Sequence, residues 1–255
     1  MNRNWKALAV AVPLMLGALP LPTATAVVQH KCLGEDATIV GTRGRDRIRG
    51  TSGADVIVGL AGADQISGLG GPEDVLCGNE GPDIIYMDTK AGFESCAGTD
   101  ANISGGKGDD RIYGGGQSFG AQGDLGDDFI DGCSLAGLRV VTYWSSQTPV
   151  QIKLWNDFAS GQGSDTLKNI NAAYGSQFDD TIVGTNRSYA REFLGGMEGN
   201  DMIDGLGGPD EMWGGFGDDS LYAKDGQAGN DKLHGDDGKD ICQADESDEI
   251  DTCEF

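Results

Sequence analysis

Residues 41–67 read as three consecutive rows of nine, GTRGRDRIR, GTSGADVIV and GLAGADQIS. Each row begins with glycine, carries an aspartate at its sixth position and places isoleucine two residues after that aspartate. Glycine permits left-handed turns and close approach of two backbones. The Asp-x-Ile-x half alternates like a short strand with one buried side chain. The stretch therefore predicts a turn followed by a strand, repeated every nine residues.

The same row recurs along most of the chain and accounts for its 43 glycines in 255 residues. Glycine does not stand at every third position, which excludes collagen, and the recurring aliphatic residues argue against disorder. Thirteen rows share an aspartate that is followed two residues later by an apolar residue or cysteine. These aspartates are Asp46, Asp55, Asp64, Asp74, Asp83, Asp110, Asp128, Asp180, Asp201, Asp210, Asp219, Asp231 and Asp240.

Two rows, or eighteen residues, would complete one coil of a repeating structure. Such a coil stacks Asp46 under Asp64 at the strand spacing of roughly 4.8 Å, which brings like charges together. Calcium would relieve this repulsion, because it accepts six to eight carboxylate and carbonyl oxygens at about 2.3–2.6 Å. Magnesium is the weaker candidate, since it requires near-ideal octahedral geometry. The thirteen aspartates are therefore predicted calcium ligands.

The rows resemble the G-G-x-G-x-D-x-U-x nonapeptides of the RTX, or haemolysin-type, calcium-binding repeat proteins. The resemblance implies an all-β fold, a right-handed parallel β-roll, with several calcium ions in the turns between coils. Each of the thirteen aspartates matches the ligand position of the motif, and each apolar follower matches its core position. The second glycine of the motif is often replaced, for example by Thr42, Thr51 and Leu60.

The rows form three blocks, residues 41–86, 105–132 and 175–243, with a cap predicted at 27–40 and another at 244–255. Between the first two blocks, residues 87–104 could either continue the stack or loop out. Within residues 133–174, VVTYW and VQIKLW flank SSQTP and predict a β-hairpin-like insert of two strands around a turn, with Trp144 and Trp155 in its core. Glu192 lies in a degenerate row with its carboxylate near the ligand position.

The first 26 residues predict a cleavable signal peptide. Arg3 and Lys6 precede an apolar stretch, and Ala24-Thr25-Ala26 has the small residues of a cleavage site after Ala26. We therefore expect a secreted, extracellular protein with no stable membrane insertion.

Six cysteines in such a chain favour disulfides, and we expect Cys32 to pair with Cys77, Cys96 with Cys133 and Cys242 with Cys253. Zinc is the competing interpretation, but no two cysteines have C-x-x-C spacing and only His30 and His234 could add imidazole ligands.

Charge and segment length narrow the classes of function that the sequence allows. The net charge of −23, which becomes −25 once the two basic residues of the signal peptide are removed, argues against nucleic acid as a partner. The non-repeat stretches are too short for an ordinary catalytic domain, and adjacent aspartates such as Asp109 and Asp110 recur at one phase of the repeat. The sequence thus favours a calcium-binding protein without enzymatic activity. The alternatives are a calcium-stiffened adhesion or cell-wall carbohydrate-binding module and, less favoured, a secreted hydrolase.

Overall fold

The computed structural model describes residues 29–88, 101–115, 118–133, 137–187, 191–227 and 229–254. They form an all-β parallel solenoid whose chain alternates between two sheets, as predicted for a β-roll. Sheet I has eleven strands, in spatial order β3 (Ile39–Val40), β5 (Val56–Ala61), β7 (Asp74–Glu80), β9 (Ala101–Lys107), β11 (Ser118–Leu125), β13 (Leu138–Thr142), β17 (Ala172–Tyr174), β19 (Glu192–Glu198), β21 (Asp210–Phe216), β23 (Lys232–Asp237) and β25 (Glu249–Asp251).

Sheet II has twelve strands, in spatial order β4 (Arg47–Arg49), β6 (Gln65–Ser67), β8 (Ile84–Tyr86), β10 (Arg111–Tyr113), β12 (Phe129–Asp131), β16 (Ser164–Lys168), β15 (Phe158–Ser160), β14 (Gln151–Lys153), β18 (Thr181–Thr185), β20 (Met202–Leu206), β22 (Ser220–Tyr222) and β24 (Ile241–Gln243). One 3-10 turn, Leu154–Asn156, follows β14. Within the described residues, no helix has the length and apolar character needed to cross a membrane.

The strand register confirms that two rows make one coil. Ile48 pairs with Ile66 in sheet II, and Ile39 pairs with Ile57 in sheet I, each eighteen residues apart. The apolar follower of each aspartate points between the sheets, so a single column of side chains from each sheet forms the core. These columns include Ile57, Ile66, Leu76, Ile85, Ile103, Ile112, Ile130, Ile182, Leu194, Ile203, Met212, Leu221 and Leu233, all nearly or fully buried.

Glycine at the fourth position of the row allows adjacent coils to touch. A Cβ atom on Gly81 would lie 1.6 Å from the carbonyl oxygen of Gly62 in the preceding coil, and one on Gly217 would lie 1.7 Å from that of Gly199. Both glycines also have left-handed backbones, with φ of +112° and +130°. No other residue fits such a position without separating the coils.

Both non-repeat segments leave the stack continuous. Strand β9 pairs in register with β7 on one side and with β11 on the other, so sheet I passes the 87–104 segment without a break. Residues 89–100 lie outside the described part of the chain. Residues 101–104 therefore continue the stack, while the choice between continuing and looping out stays a prediction for residues 89–100.

The 133–174 segment differs from the prediction. The expected strands exist as β13 and β14, but they lie in opposite sheets and do not pair with each other. Instead, β14, β15 and β16 form an antiparallel meander that fills sheet II between β12 and β18. Trp144 and Trp155 were wrongly predicted as core, since they are 43% and 57% exposed. The buried side chains here include those of Tyr143, Val150 and Ile152.

Two of the three predicted disulfides, Cys32–Cys77 and Cys242–Cys253, lie within the described residues and are formed. The first ties an N-terminal hairpin, β1 (Lys31–Cys32) and β2 (Glu35–Asp36), to Val58 and Val75 of sheet I. The second joins the last strand of sheet II to the residues that follow β25. Cys96 and the predicted signal peptide lie outside the described residues.

Candidate metal sites

The turns that lead into sheet II carry a column of aspartates, here called the aspartate edge. It consists of Asp46, Asp64, Asp83, Asp110, Asp128, Asp165, Asp180, Asp201, Asp219 and Asp240, each two residues before a core side chain of sheet II. Val150 occupies the corresponding position of the meander. Nine of the thirteen predicted ligands lie on this edge, so the structure brings them into one line along the roll.

The turns that lead into sheet I, here called the opposite edge, carry acids only near the two ends of the roll. Asp55 and Asp74 lie at one end, and Asp210 and Asp231 lie at the other. In between, the same position is held by Ala101, Phe119, Arg139 and Asn171. The four remaining predicted ligands are thus divided between two separate places.

In most of these carboxylates, one oxygen links adjacent coils. The backbone N–H of Asp83 donates to Oδ1 of Asp110 at 2.7 Å, and the N–H of Asp110 donates to Oδ1 of Asp128 at 2.8 Å. The N–H of Asp201 donates to Oδ1 of Asp219 in the same way at 2.7 Å. Because a buried N–H needs an acceptor, the side chains complete hydrogen bonds that the turn backbone leaves open.

The other carboxylate oxygen has no hydrogen-bond partner among the described residues in nine of the thirteen predicted ligands. These nine side chains are at most 3% exposed, and the oxygens are Oδ2 of Asp64, Asp74, Asp83, Asp110, Asp128, Asp201, Asp219 and Asp240 and Oδ1 of Asp210. A buried charged oxygen without a partner is strongly destabilising. The recurrence of this feature at one phase of the repeat indicates that a cation is the missing partner.

Electrostatics support the same conclusion. Burial raises the pKa of Asp110, Asp201 and Asp210 to about 8 and that of Asp83 and Asp128 to about 7, and the carboxylates of adjacent coils add to the increase. These carboxyl groups therefore resist ionisation near neutral pH unless a positive charge lies beside them.

Backbone carbonyls complete an all-oxygen donor set. A Cβ atom on Gly105 would lie 2.4 Å from Oδ2 of Asp110 and 2.7 Å from the carbonyl oxygen of Gly123 in the next coil, so both oxygens lie near one point. Gly196 has the same relation to Asp201 and Gly214. Among the described residues, no three His, Cys, Asp or Glu side chains converge, so an ion here would need carbonyl ligands. Carboxylate and carbonyl oxygens are the ligands of calcium.

Three acids of these columns were missed or only partly recognised in the sequence. Asp165 is 1% exposed and accepts the N–H of Asp128 at 3.0 Å, and Asp248 accepts the N–H of Asp231 at 3.3 Å. The signal was present in both cases, since Leu167 and Ile250 follow two residues later. Glu192 pairs in register with Asp210 and is 2% exposed, which places its carboxylate in the column of acids on the opposite edge.

The adjacent aspartate pairs also have a structural role. Asp109 and Asp127 each precede an aspartate of the aspartate edge, and they form a second, exposed column outside it. Oδ1 of Asp109 accepts the N–H of Asp127 at 3.0 Å, and Oδ1 of Asp127 accepts the N–H of Ser164 at 2.9 Å. This repetition along the roll accounts for the pairs as links between coils.

Comparison with known families agrees with the geometry. The model of the RTX calcium-binding nonapeptide repeat matches four segments, residues 38–72, 98–118, 195–227 and 225–247. No curated protein is similar enough to match the chain. The repeat is a structural, calcium-binding unit rather than a catalytic one. The chain therefore contains RTX calcium-binding nonapeptide repeats, and these repeats lie in the parallel β-roll described above.

Proposed function

We propose that this chain is a secreted protein, without enzymatic activity, that binds several calcium ions between its coils and folds or stiffens when they bind. The nine buried carboxylate oxygens that have no hydrogen-bond partner among the described residues carry this proposal. The predicted signal peptide and the two disulfides agree with an extracellular location. Calcium is far more abundant outside cells, where modules of this kind bind it with Kd of about 10⁻⁴–10⁻³ M.

Ion binding would contribute a large part of the folding free energy. At about 10 mM calcium, one site with such a Kd stabilises the folded chain by about 1.4–2.7 kcal/mol. Five such sites would contribute roughly 7–14 kcal/mol, which is comparable with the whole stability of an ordinary domain. The core supplies only two narrow columns of side chains. We therefore expect the calcium-free chain to be expanded.

Calorimetric titration with calcium, combined with hydrodynamic radius, tests the proposal. The radius should fall as calcium is added, and magnesium at the same concentration should have a much smaller effect, because the turn oxygens do not impose octahedral geometry. A radius that stays constant from chelator to 10 mM calcium, with no heat of binding, would refute the proposal.

A second candidate is attachment to cell-wall or extracellular polysaccharide. The outer face of sheet I has an open groove of about 460 Å³, whose lining includes Asn102, Gln122, Val140 and Tyr174. An aromatic ring beside amide side chains suits a sugar, which offers both an apolar face and hydroxyl groups. Binding of the chain to insoluble cell-wall polysaccharide should be lost in chelator and weakened by Tyr174→Ala. Equal retention of this variant and the unaltered chain would exclude the groove as the binding site.

A further inference from the structure

The second residue of each row adopts one of two backbone conformations, and the choice correlates with the state of the carboxylate. In the rows of all nine unpartnered carboxylates this residue has a positive φ. The residues are Leu60, Leu69, Asn79, Gly106, Asp124, Met197, Leu206, Gly215 and Asp236, with φ between 64° and 112°. In the rows of Asp46, Asp55 and Asp180 the residue is Thr42, Thr51 or Ser176, and φ is not positive.

Threonine and serine at this position donate hydrogen bonds to the carboxylate. A carboxylate whose oxygens are satisfied by such donors is here called closed. The N–H and Oγ1 of Thr51 both donate to Oδ2 of Asp55, at 2.5 and 2.9 Å, and Thr42 makes the same pair of bonds to Asp46. The N–H of Ser176 donates to Oδ2 of Asp180, while its hydroxyl donates to Oδ1 at 2.9 Å.

Two further acids are closed by hydroxyl groups from elsewhere. The Tyr143 hydroxyl donates to Oδ2 of Asp165 at 2.7 Å, and both side chains are 1% exposed. Thr185 donates its N–H to Oε2 of Glu192 at 2.7 Å and its hydroxyl to Oε1 at 2.6 Å. The five closed acids therefore have donors on both oxygens, or two donors on the oxygen that is unpartnered in the other rows.

We propose that the roll holds calcium in two separate groups of sites, around Asp64–Asp128 and around Asp201–Asp240, and that the five hydroxyl-closed acids bind none. This inference rests on the proposed calcium binding and specifies which carboxylates take part. The physical reason is competition, because each charge-assisted hydrogen bond uses a lone pair and part of the charge that the carboxylate would otherwise offer to an ion. The unpartnered oxygens have no such bond to lose, since no donor of the described residues reaches them.

The two groups are separated by a segment that needs no ion. Asp165, Asp180 and Glu192 are consecutive closed acids, and the meander between β12 and β18 lies beside them. The segment 138–187 has its own buried side chains, among them Tyr143 and Ile152, and lies outside all four segments matched by the repeat family. It should remain ordered when calcium is removed, whereas the coils on both sides should loosen.

Ion counting on the full chain by native mass spectrometry tests the assignment with matched variants. Asp110→Asn and Asp201→Asn should each lower the number of bound calcium ions by at least one. Asp55→Asn and Asp180→Asn should leave the number unchanged. Asn171 shows that asparagine is compatible with the column, because its Oδ1 accepts the N–H of Arg139 at 2.7 Å. Equal losses in all four variants would overturn the assignment.

Hydrogen exchange on the unaltered chain provides a second test that does not depend on variants folding. In chelator, the amides of β13–β18 should exchange at least tenfold more slowly than those of β5–β12 and β19–β24. Equal exchange in the three regions would contradict an ion-independent centre. If the unaltered chain binds no calcium at all, the proposed function itself fails, and that result is distinguishable from ions bound in the wrong places.

Discussion

The contact between coils through glycine can be tested by the change Gly81→Ala. Gly81 has φ of +112°, and a Cβ atom there would lie 1.6 Å from the carbonyl oxygen of Gly62. Gly226 offers a matched control, because its φ is +84° and a Cβ atom would have nothing within 4 Å. Both changes force alanine into a left-handed conformation, but only the first places it against another backbone.

The two costs can be estimated separately. A left-handed alanine costs about 1–2 kcal/mol, and loss of glycine's freedom in the unfolded chain returns roughly 0.5–1 kcal/mol. Gly226→Ala should therefore cost about 0–1.5 kcal/mol. In Gly81→Ala the obstacle is a backbone carbonyl, so the coils must separate. Overpacking adds about 1–3 kcal/mol, and weakening the bonds from Gly62 N–H to Glu80 O and from Gly81 N–H to Lys107 O adds up to about 3 kcal/mol. The sum is roughly 1–7.5 kcal/mol.

Guanidinium unfolding in excess calcium, followed by far-ultraviolet circular dichroism, measures both variants under one condition. The midpoint for Gly81→Ala should fall well below that of the unaltered chain, while the midpoint for Gly226→Ala should stay close to it. Repeat arrays can unfold in parts. The amides of β5 and β7 should therefore exchange faster in Gly81→Ala than in the unaltered chain. Equal midpoints for the two variants would show that coil contact at Gly81 is unimportant and that backbone conformation alone requires glycine.

Three further changes have defined outcomes. Without calcium, acid should partly restore structure. Burial raises the pKa of Asp110 and Asp201 to about 8 in the folded chain, so the folded state binds more protons than the unfolded state. The stability of the calcium-free folded state is therefore greatest below about pH 4 and is lost as the pH rises to about 8. Circular dichroism in chelator that shows more order at pH 8 than at pH 4 would contradict this. Replacing Cys32 and Cys77 with serine should lower the free energy of unfolding by about 2–4 kcal/mol, since the bridge closes a loop with a sequence separation of 45; no change in the denaturation midpoint would contradict this. Met197→Gly should raise stability by about 1 kcal/mol, because Met197 has φ of 87°, and a lowered thermal midpoint would refute this.

Periodicity sufficed to predict the coil, the core columns and the aspartate edge, because each depends on one residue type at one spacing. Ile66 and Asp64, for instance, each have a partner eighteen residues earlier in the chain. Two of the disulfides followed from pairing neighbouring cysteines.

The meander could not be predicted from periodicity, since its strands are not related by the nine-residue repeat. VVTYW and VQIKLW both alternate like strands, and alternation does not reveal which sheet a strand enters. Trp144 and Trp155 lie on the exposed side, and Tyr143 is buried instead with its hydroxyl on Asp165. Tyr143 thus brings an apolar ring to the core and a hydroxyl donor to the buried carboxylate of Asp165.

The second position of the row shows best what a linear motif omits. Thr42, Thr51 and Leu60 look alike as replacements of the motif glycine, and a comparison with the motif weakens all three rows equally. The structure separates them by backbone conformation. Leu60 accepts the left-handed conformation and leaves Oδ2 of Asp64 open, so it preserves the function of the glycine at a conformational cost of about 1–2 kcal/mol. Threonine avoids that cost and supplies a hydroxyl that closes the carboxylate. A β-branched residue is poorly suited to a positive φ. The side chain at the second position of the row therefore decides whether the carboxylate is open or closed. An intact aspartate is necessary but not sufficient for an ion site.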